Sequence, residues 1–145
     1  MSGDAVEILL ADDNEDDLVM MKEAIVEANL ISILHTAQDG EQVLEYLRQE
    51  GDHQDARRPG IVLLNMDMPR MNGFEVLAAM KTDDTLRHIP VVMLTTSNRE
   101  LDIVRAYAEG VCAYVTKPSD YDQLKEMLRH LAVFFGQTAR IPATE

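Results

Sequence analysis

The chain alternates five times between a short apolar run and a longer amphipathic segment, and no other feature restricts its fold as strongly. The apolar runs predict strands over 8–11, 31–37, 61–64, 91–94 and 111–115. The segments that follow carry apolar residues at helical spacing and predict helices over 16–28, 41–49, 72–81, 100–109 and 121–135. Strands that alternate with helices form a parallel sheet covered on both faces. We therefore predict an α/β fold: a flavodoxin-like, doubly wound (βα)5 with a five-stranded parallel sheet in the order 2-1-3-4-5.

Length and charge limit the classes of protein to consider. A chain of 145 residues fits one domain, which we place over 1–135, followed by a C-terminal arm over 136–145. A formal net charge of −13 argues against a nucleic-acid partner and against binding to an anionic membrane surface. No apolar run is long enough to span a membrane and the N-terminus lacks a signal-peptide pattern, so we expect a cytoplasmic protein. The single cysteine, Cys112, excludes a disulfide framework, and we expect it to lie buried in the fifth strand.

Chemically useful side chains follow four of the predicted strands. Asp12 and Asp13 come after the first strand, Asn65 after the third, Thr95 after the fourth and Lys117 after the fifth. In a doubly wound sheet, ligands bind beyond the carboxyl ends of the strands, so we expect these side chains to share one pocket. Clustered carboxylates repel one another unless a cation lies among them, and oxygen ligands without histidine or cysteine favour Mg²⁺. A hydroxyl and an ammonium group beside that metal would complement the oxygens of a phosphoryl group.

Two other classes of protein with this fold remain as alternatives. A flavodoxin-like mononucleotide binder cradles phosphate on glycine-rich or hydroxyl-rich loops, whereas residues 12–17 contain five acids in six positions. A Mg²⁺-dependent phosphohydrolase would use Asp13 or Asp67 as its nucleophile. We expect neither, and we expect no enzymatic activity. Asp16 and Asp17 are assigned to the start of the first helix, where acidic residues are favoured.

These residues resemble the receiver domain of a two-component response regulator, over essentially the whole chain. The resemblance is carried by four motifs in the expected order: the acid pair Asp12-Asp13, the segment Met68-Pro69-Arg70-Met71-Asn72-Gly73, the hydroxyl of Thr95, and Lys117-Pro118. Each motif alone is modest, but each of the four follows the strand that the family requires.

The resemblance implies a specific chemistry for these positions. The acid pair holds Mg²⁺, together with a main-chain carbonyl that corresponds here to Asp67, and an aspartate at the end of the third strand accepts a phosphoryl group from a sensor histidine kinase. Thr95 would stabilise the phosphorylated form, and Lys117 would contact the phosphoryl or carboxylate oxygens. Tyr114, on the fifth strand, corresponds to an aromatic residue that switches rotamer.

Within the family, the chain is similar to the stand-alone regulators of phytochrome-type histidine kinases. This narrower resemblance rests on the run Thr95-Thr96-Ser97, on the long loop before the third strand and on the arm over 136–145. It implies a phytochrome-type kinase as partner, a homodimer formed through the sheet edge and the arm, and no fused DNA-binding domain.

The chain departs from the family at the central position. Counting back four residues from Pro69 places the phosphoryl acceptor at position 65, where this chain has Asn65. An amide is a poor nucleophile and provides no negative charge, so we expect no phosphorylation and weaker Mg²⁺ binding, with Asn65 as a poorer metal ligand. We also expect Lys117 to lean toward the acid pair and Tyr114 to lie outward. Three explanations fit: an engineered substitution that freezes the inactive state, a natural phosphorylation-independent receiver, or compensation by a neighbouring group.

Overall fold

The computed structural model describes residues 6–27, 32–56 and 58–142, and it confirms the predicted α/β fold. All strand pairs are parallel and the sheet order is β2-β1-β3-β4-β5. The predicted end of the first helix at 28 and the start of the second strand at 31 lie outside the described residues. The strands and helices, in chain order, are β1 Val6–Ala11, α1 Glu15–Glu27, β2 Ser32–Ala37, α2 Gly40–Leu47, β3 Ile61–Leu64, α3 Gly73–Lys81, β4 Val91–Thr95, α4 Glu100–Ala108, β5 Ala113–Thr116 and α5 Tyr121–Val133.

Two apolar layers, one on each face of the sheet, explain why the central strands are apolar throughout. Every residue of β3 and β4 is buried. On one face α2, α3 and α4 cover the sheet through residues such as Leu47, Leu77 and Ala106. On the other face α1 and α5 cover it through residues such as Met21 and Leu128. Burial of this apolar area on both faces is the main stabilising contribution to a doubly wound sheet.

The start of α3 is positioned tightly against the end of β3. Asn72 caps this helix, because its side chain accepts from the Glu75 amide at 2.9 Å while the Glu75 carboxylate accepts from the Asn72 amide at 2.9 Å. Gly73 follows, and a Cβ at this position would lie 2.5 Å from the Asn65 carbonyl oxygen. Only glycine allows so close an approach. The helix therefore holds the residue at the end of β3 in place.

Two further predictions concern the ends of the fold. The expectation that Cys112 is buried in the fifth strand is wrong: β5 begins at Ala113 and Cys112 is exposed. The turn at Gly110, with φ of +110°, directs Val111 into the core, so the next side chain faces outward.

After α5 a π-helical turn, Phe134–Thr138, continues the helical path, and the division into a domain and an arm at 136 stays a prediction. Among the described helices, none combines the length and apolarity needed to cross a bilayer.

Candidate functional site

The pairing of the strands brings the predicted residues to one edge of the sheet. Ala11 pairs with Leu64, and Leu64 pairs with Met93, so the loops after β1, β3 and β4 leave the sheet side by side. The hydrogen bonds continue one step beyond the strands: the Asn65 amide donates to the Ala11 carbonyl at 3.0 Å, and the Lys117 amide to the Thr95 carbonyl at 2.6 Å. The residues at these strand ends thus lie together at one edge of the sheet, as the position of the switch point predicts, and this group is called the pocket below.

Asn65 lies at the centre of this pocket and is only 8% exposed. Its side-chain nitrogen Nδ2 donates to the main-chain oxygen of Asp67 at 2.9 Å. The same nitrogen makes two longer contacts, to Asp13 Oδ1 at 3.3 Å and to Asp12 Oδ1 at 3.4 Å. The amide therefore donates to the acid pair and to the one main-chain oxygen that the sequence analysis predicted as a metal ligand.

Asp12 is the most buried carboxylate in the described part of the chain, at 1% exposure. Its Oδ1 also accepts from the Asn14 amide at 2.9 Å, and its Oδ2 accepts from the ammonium group of Lys117 at 2.5 Å. Burial raises the pKa of Asp12, and the hydrogen bonds from Lys117 and Asn14 oppose that effect. Asp13, by contrast, is exposed to solvent.

Lys117 leans toward the acid pair as expected, but it has a second partner that the sequence analysis missed. Its ammonium nitrogen lies 2.9 Å from Asp17 Oδ2 and 2.5 Å from Asp12 Oδ2, and its side chain is 7% exposed. Burial lowers the pKa of Lys117, but the hydrogen bonds to the two carboxylates outweigh it, so the pKa is raised. Asp17 was assigned only to the helix start; Asn14 performs that capping by accepting from the Asp17 amide at 2.9 Å.

Thr95 is the last residue of β4, and Tyr114 lies on the neighbouring strand β5. Thr95 is 1% exposed, and its hydroxyl has no hydrogen-bond partner among residues 6–27, 32–56 and 58–142. The expectation that Tyr114 lies outward is wrong: its ring is partly buried against the core, and its hydroxyl donates to the Ser97 carbonyl at 2.9 Å. The Ser97 hydroxyl in turn donates to Asp102 at 2.6 Å, which holds the loop so that its carbonyl meets the tyrosine.

Three oxygens around Asn65 form a candidate donor set for a divalent cation. Two carboxylates and a main-chain carbonyl are chemically suitable for Mg²⁺. In this arrangement, however, all three oxygens already accept from the Asn65 side chain, which presents its nitrogen rather than its oxygen to them. Within the described residues, no group of three or more His, Cys, Asp or Glu side chains is arranged to hold a metal ion. The pocket as it stands does not fit a divalent cation.

A family model, sequence relatives and solved structures all relate this chain to response regulators. A family model described as the response regulator receiver domain matches residues 8–129. Response regulator Rcp1 of Synechocystis sp. is 33% identical over 136 residues, covering 94% of this chain and 92% of that protein. The crystal structure of the phosphorylated cyanobacterial phytochrome response regulator RcpA is similar with a TM-score of 0.91 at 37% identity, covering 97% of this chain and 100% of that one. The crystal structure of the Mn²⁺-bound form of response regulator Rcp1 is similar with a TM-score of 0.88 at 33% identity, covering 95% of this chain and 99% of that one.

Proposed function

The chain belongs to the response regulator receiver domain family, and on that premise we propose that it is the receiver of a phytochrome-type two-component system that cannot be phosphorylated at position 65. The observation that carries the proposal is the buried Asn65 side chain, which lies between the acid pair and the Asp67 carbonyl. Its place directly after β3, four residues before Pro69, is that of the family's acceptor.

The chemistry of the amide explains the loss of phosphoryl transfer. The family's acceptor is a carboxylate whose oxygen attacks phosphorus and forms an acyl phosphate. The lone pair of an amide nitrogen is delocalised into the carbonyl group, and a neutral amide oxygen is a weak nucleophile. Asp67 is a poor substitute, because it turns its main-chain oxygen toward Asn65 while its side chain is exposed. We also propose that Mg²⁺ binding is weaker than with aspartate at this position, since one anionic ligand is missing.

The partner class is supported by the relatives. The chain matches 92% of Rcp1 and 100% of RcpA, and RcpA is described as a phytochrome response regulator in its phosphorylated form. A sensor histidine kinase of the phytochrome type is therefore the proposed partner. The homodimer, the lack of a nucleic-acid partner and the cytoplasmic location stay predictions, and light scattering on the purified chain tests the first of them.

A small acyl-phosphate donor tests the proposal directly. The chain is incubated with acetyl phosphate and millimolar Mg²⁺, and intact-mass spectrometry detects a bound phosphoryl group. We expect no label on the unmodified chain and a hydroxylamine-sensitive label on the Asn65→Asp variant, because the variant regains the nucleophile. Asn72→Asp is a matched control, since it adds the same carboxylate at a helix cap where aspartate serves equally well. A label on the unmodified chain would show that another residue accepts the phosphoryl group.

A further inference from the structure

We propose that the Asn65 amide and the Lys117 ammonium group satisfy the oxygens of the pocket from within, so that this receiver keeps its arrangement without any divalent cation. The inference rests on the proposed function in one respect, namely that position 65 is the family's acceptor position. It goes beyond weakened metal binding, because it assigns to the amide the stabilising contribution that a cation would otherwise make.

Several oxygens of the pocket converge on the side-chain nitrogen of Asn65. Three oxygens, from Asp12, Asp13 and the main chain of Asp67, lie 2.9–3.4 Å from Asn65 Nδ2. Oxygens that converge in this way repel one another unless a positive group lies between them. The amide group has two N–H donors, and its hydrogens carry the partial positive charge that the oxygens require.

A magnesium ion requires shorter distances to its oxygen ligands than those between the pocket oxygens and the Asn65 nitrogen. Mg²⁺ binds its oxygen ligands at about 2.0–2.1 Å in near-ideal octahedral geometry. The three oxygens lie about 1 Å farther than that from the amide nitrogen, so a Mg²⁺ ion in the place of this nitrogen would be too far from all three. Binding would therefore need two changes together: rotation of the buried amide away from its acceptors, and contraction of three oxygens that belong to two different loops.

The charges of the buried residues in the pocket balance one another. Asp12 and Lys117 form a buried ion pair, and Asn65 beside them is neutral, so the buried members of the pocket sum to zero. The other carboxylates, Asp13 and Asp17, have access to water, which screens them. No buried charge is left in need of a counter-ion. Aspartate at position 65 would add one buried negative charge, and the pocket would then require a cation.

A Mg²⁺ titration followed by two-dimensional NMR tests the inference on the unmodified chain. The probes are the side-chain NH₂ signal of Asn65 and the main-chain amide signal of Asp13, at constant ionic strength. We expect no saturable shift of either signal at millimolar Mg²⁺, and the same melting temperature in EDTA and in Mg²⁺. The Asn65→Asp variant should melt lower in EDTA than in Mg²⁺, whereas Asn72→Asp should show no such difference.

The contrary outcome is a saturable shift of the Asn65 and Asp13 signals in the unmodified chain, which would show that Mg²⁺ displaces the amide. That result overturns the inference whether or not the Asn65→Asp variant folds. It is also distinct from failure of the proposed function, since phosphoryl labelling of the unmodified chain is measured in a separate experiment.

Discussion

Replacement of Asp17 with asparagine removes one of the two carboxylates that hold the Lys117 ammonium group. At the observed 2.9 Å, Coulomb's law gives about 6 kcal/mol for such a pair at an effective dielectric constant of about 20. Desolvation and side-chain ordering offset most of that energy. The Asp17 side chain is 27% exposed, which places the pair between exposed pairs, worth about 0–1 kcal/mol, and buried pairs, whose disruption costs about 3–5 kcal/mol. We expect Asp17→Asn to lower the free energy of unfolding by about 1–2 kcal/mol at neutral pH.

Urea unfolding followed by circular dichroism measures this value, and a double-mutant cycle isolates the ion pair. Lys117→Met leaves the buried Asp12 carboxylate without its cation and should cost about 3–5 kcal/mol. Once the ammonium group is gone, Asp17→Asn has no pair to disrupt. The coupling energy between Asp17→Asn and Lys117→Met should therefore account for most of the about 1–2 kcal/mol that Asp17→Asn alone costs, to within about 0.5 kcal/mol.

The pH dependence provides an independent check. Because the pKa of Lys117 is raised above its ordinary value of 10.5 in the folded state, the ammonium group contributes its full stabilisation below pH 10.5. That stabilisation is lost as the pH rises through the folded-state pKa. The stability difference between the unmodified chain and Asp17→Asn should thus be constant near neutral pH and shrink above pH 10.5.

Asp16→Asn is the matched control for this prediction. Asp16 lies in the same helical turn and is exposed, and it makes no ion pair with any residue that the structure describes. Its substitution changes the net charge equally and should alter stability only by the few tenths of a kcal/mol typical of a helix dipole. The assignment of Asp17 to the pocket would be refuted if Asp16→Asn and Asp17→Asn had equal effects on stability and the coupling energy between Asp17→Asn and Lys117→Met were near zero.

Two buried hydroxyl groups give further predictions. The Tyr46 hydroxyl has no hydrogen-bond partner in the described residues, so Tyr46→Phe should raise stability by about 1 kcal/mol in urea unfolding at pH 7. Burial and the charge of Glu7 raise the pKa of Tyr46 to about 12, so the unmodified chain should lose more stability than this variant as the pH rises from 10 to 12. Thr95→Val should also stabilise the chain by about 1 kcal/mol in the same assay, and a loss of stability would contradict the partnerless hydroxyl. In the Asn65→Asp background, the same substitution should reduce the yield of phosphoryl label.

The fold and the location of the pocket could be predicted from the sequence because both depend on patterns that act over short distances. Short apolar runs such as Ile61–Leu64 define buried strands, and parallel strands place their carboxyl ends together. The spacing from Pro69 alone predicts that Asn65 occupies the family's acceptor position. The structure then places that side chain between the acid pair and the Asp67 carbonyl.

The second partner of Lys117 and the partner of Tyr114 could not be predicted, because they depend on which of several similar groups lies nearest in space. Five acids occur in residues 12–17, and only the three-dimensional path of the loop and of the first turn of α1 selects Asp17. Since Asn14 caps the helix, the Asp17 carboxylate is free to reach across to β5. The orientation of Tyr114 depends on the Ser97 carbonyl, which is held in turn by the contact with Asp102.

The pocket also bears on why asparagine lies at position 65. Asp12, Asn65 and Lys117 satisfy one another in this arrangement, so phosphorylation is not needed to explain their presence. Thr95 differs, because its hydroxyl is buried without a partner in the described residues, and such a group costs about 1–3 kcal/mol. A ligand oxygen that pairs with the hydroxyl, such as an oxygen of a phosphoryl group on residue 65, would offset that cost. The buried Thr95 hydroxyl is thus the one feature among these four residues that a receiver built around an amide leaves unexplained.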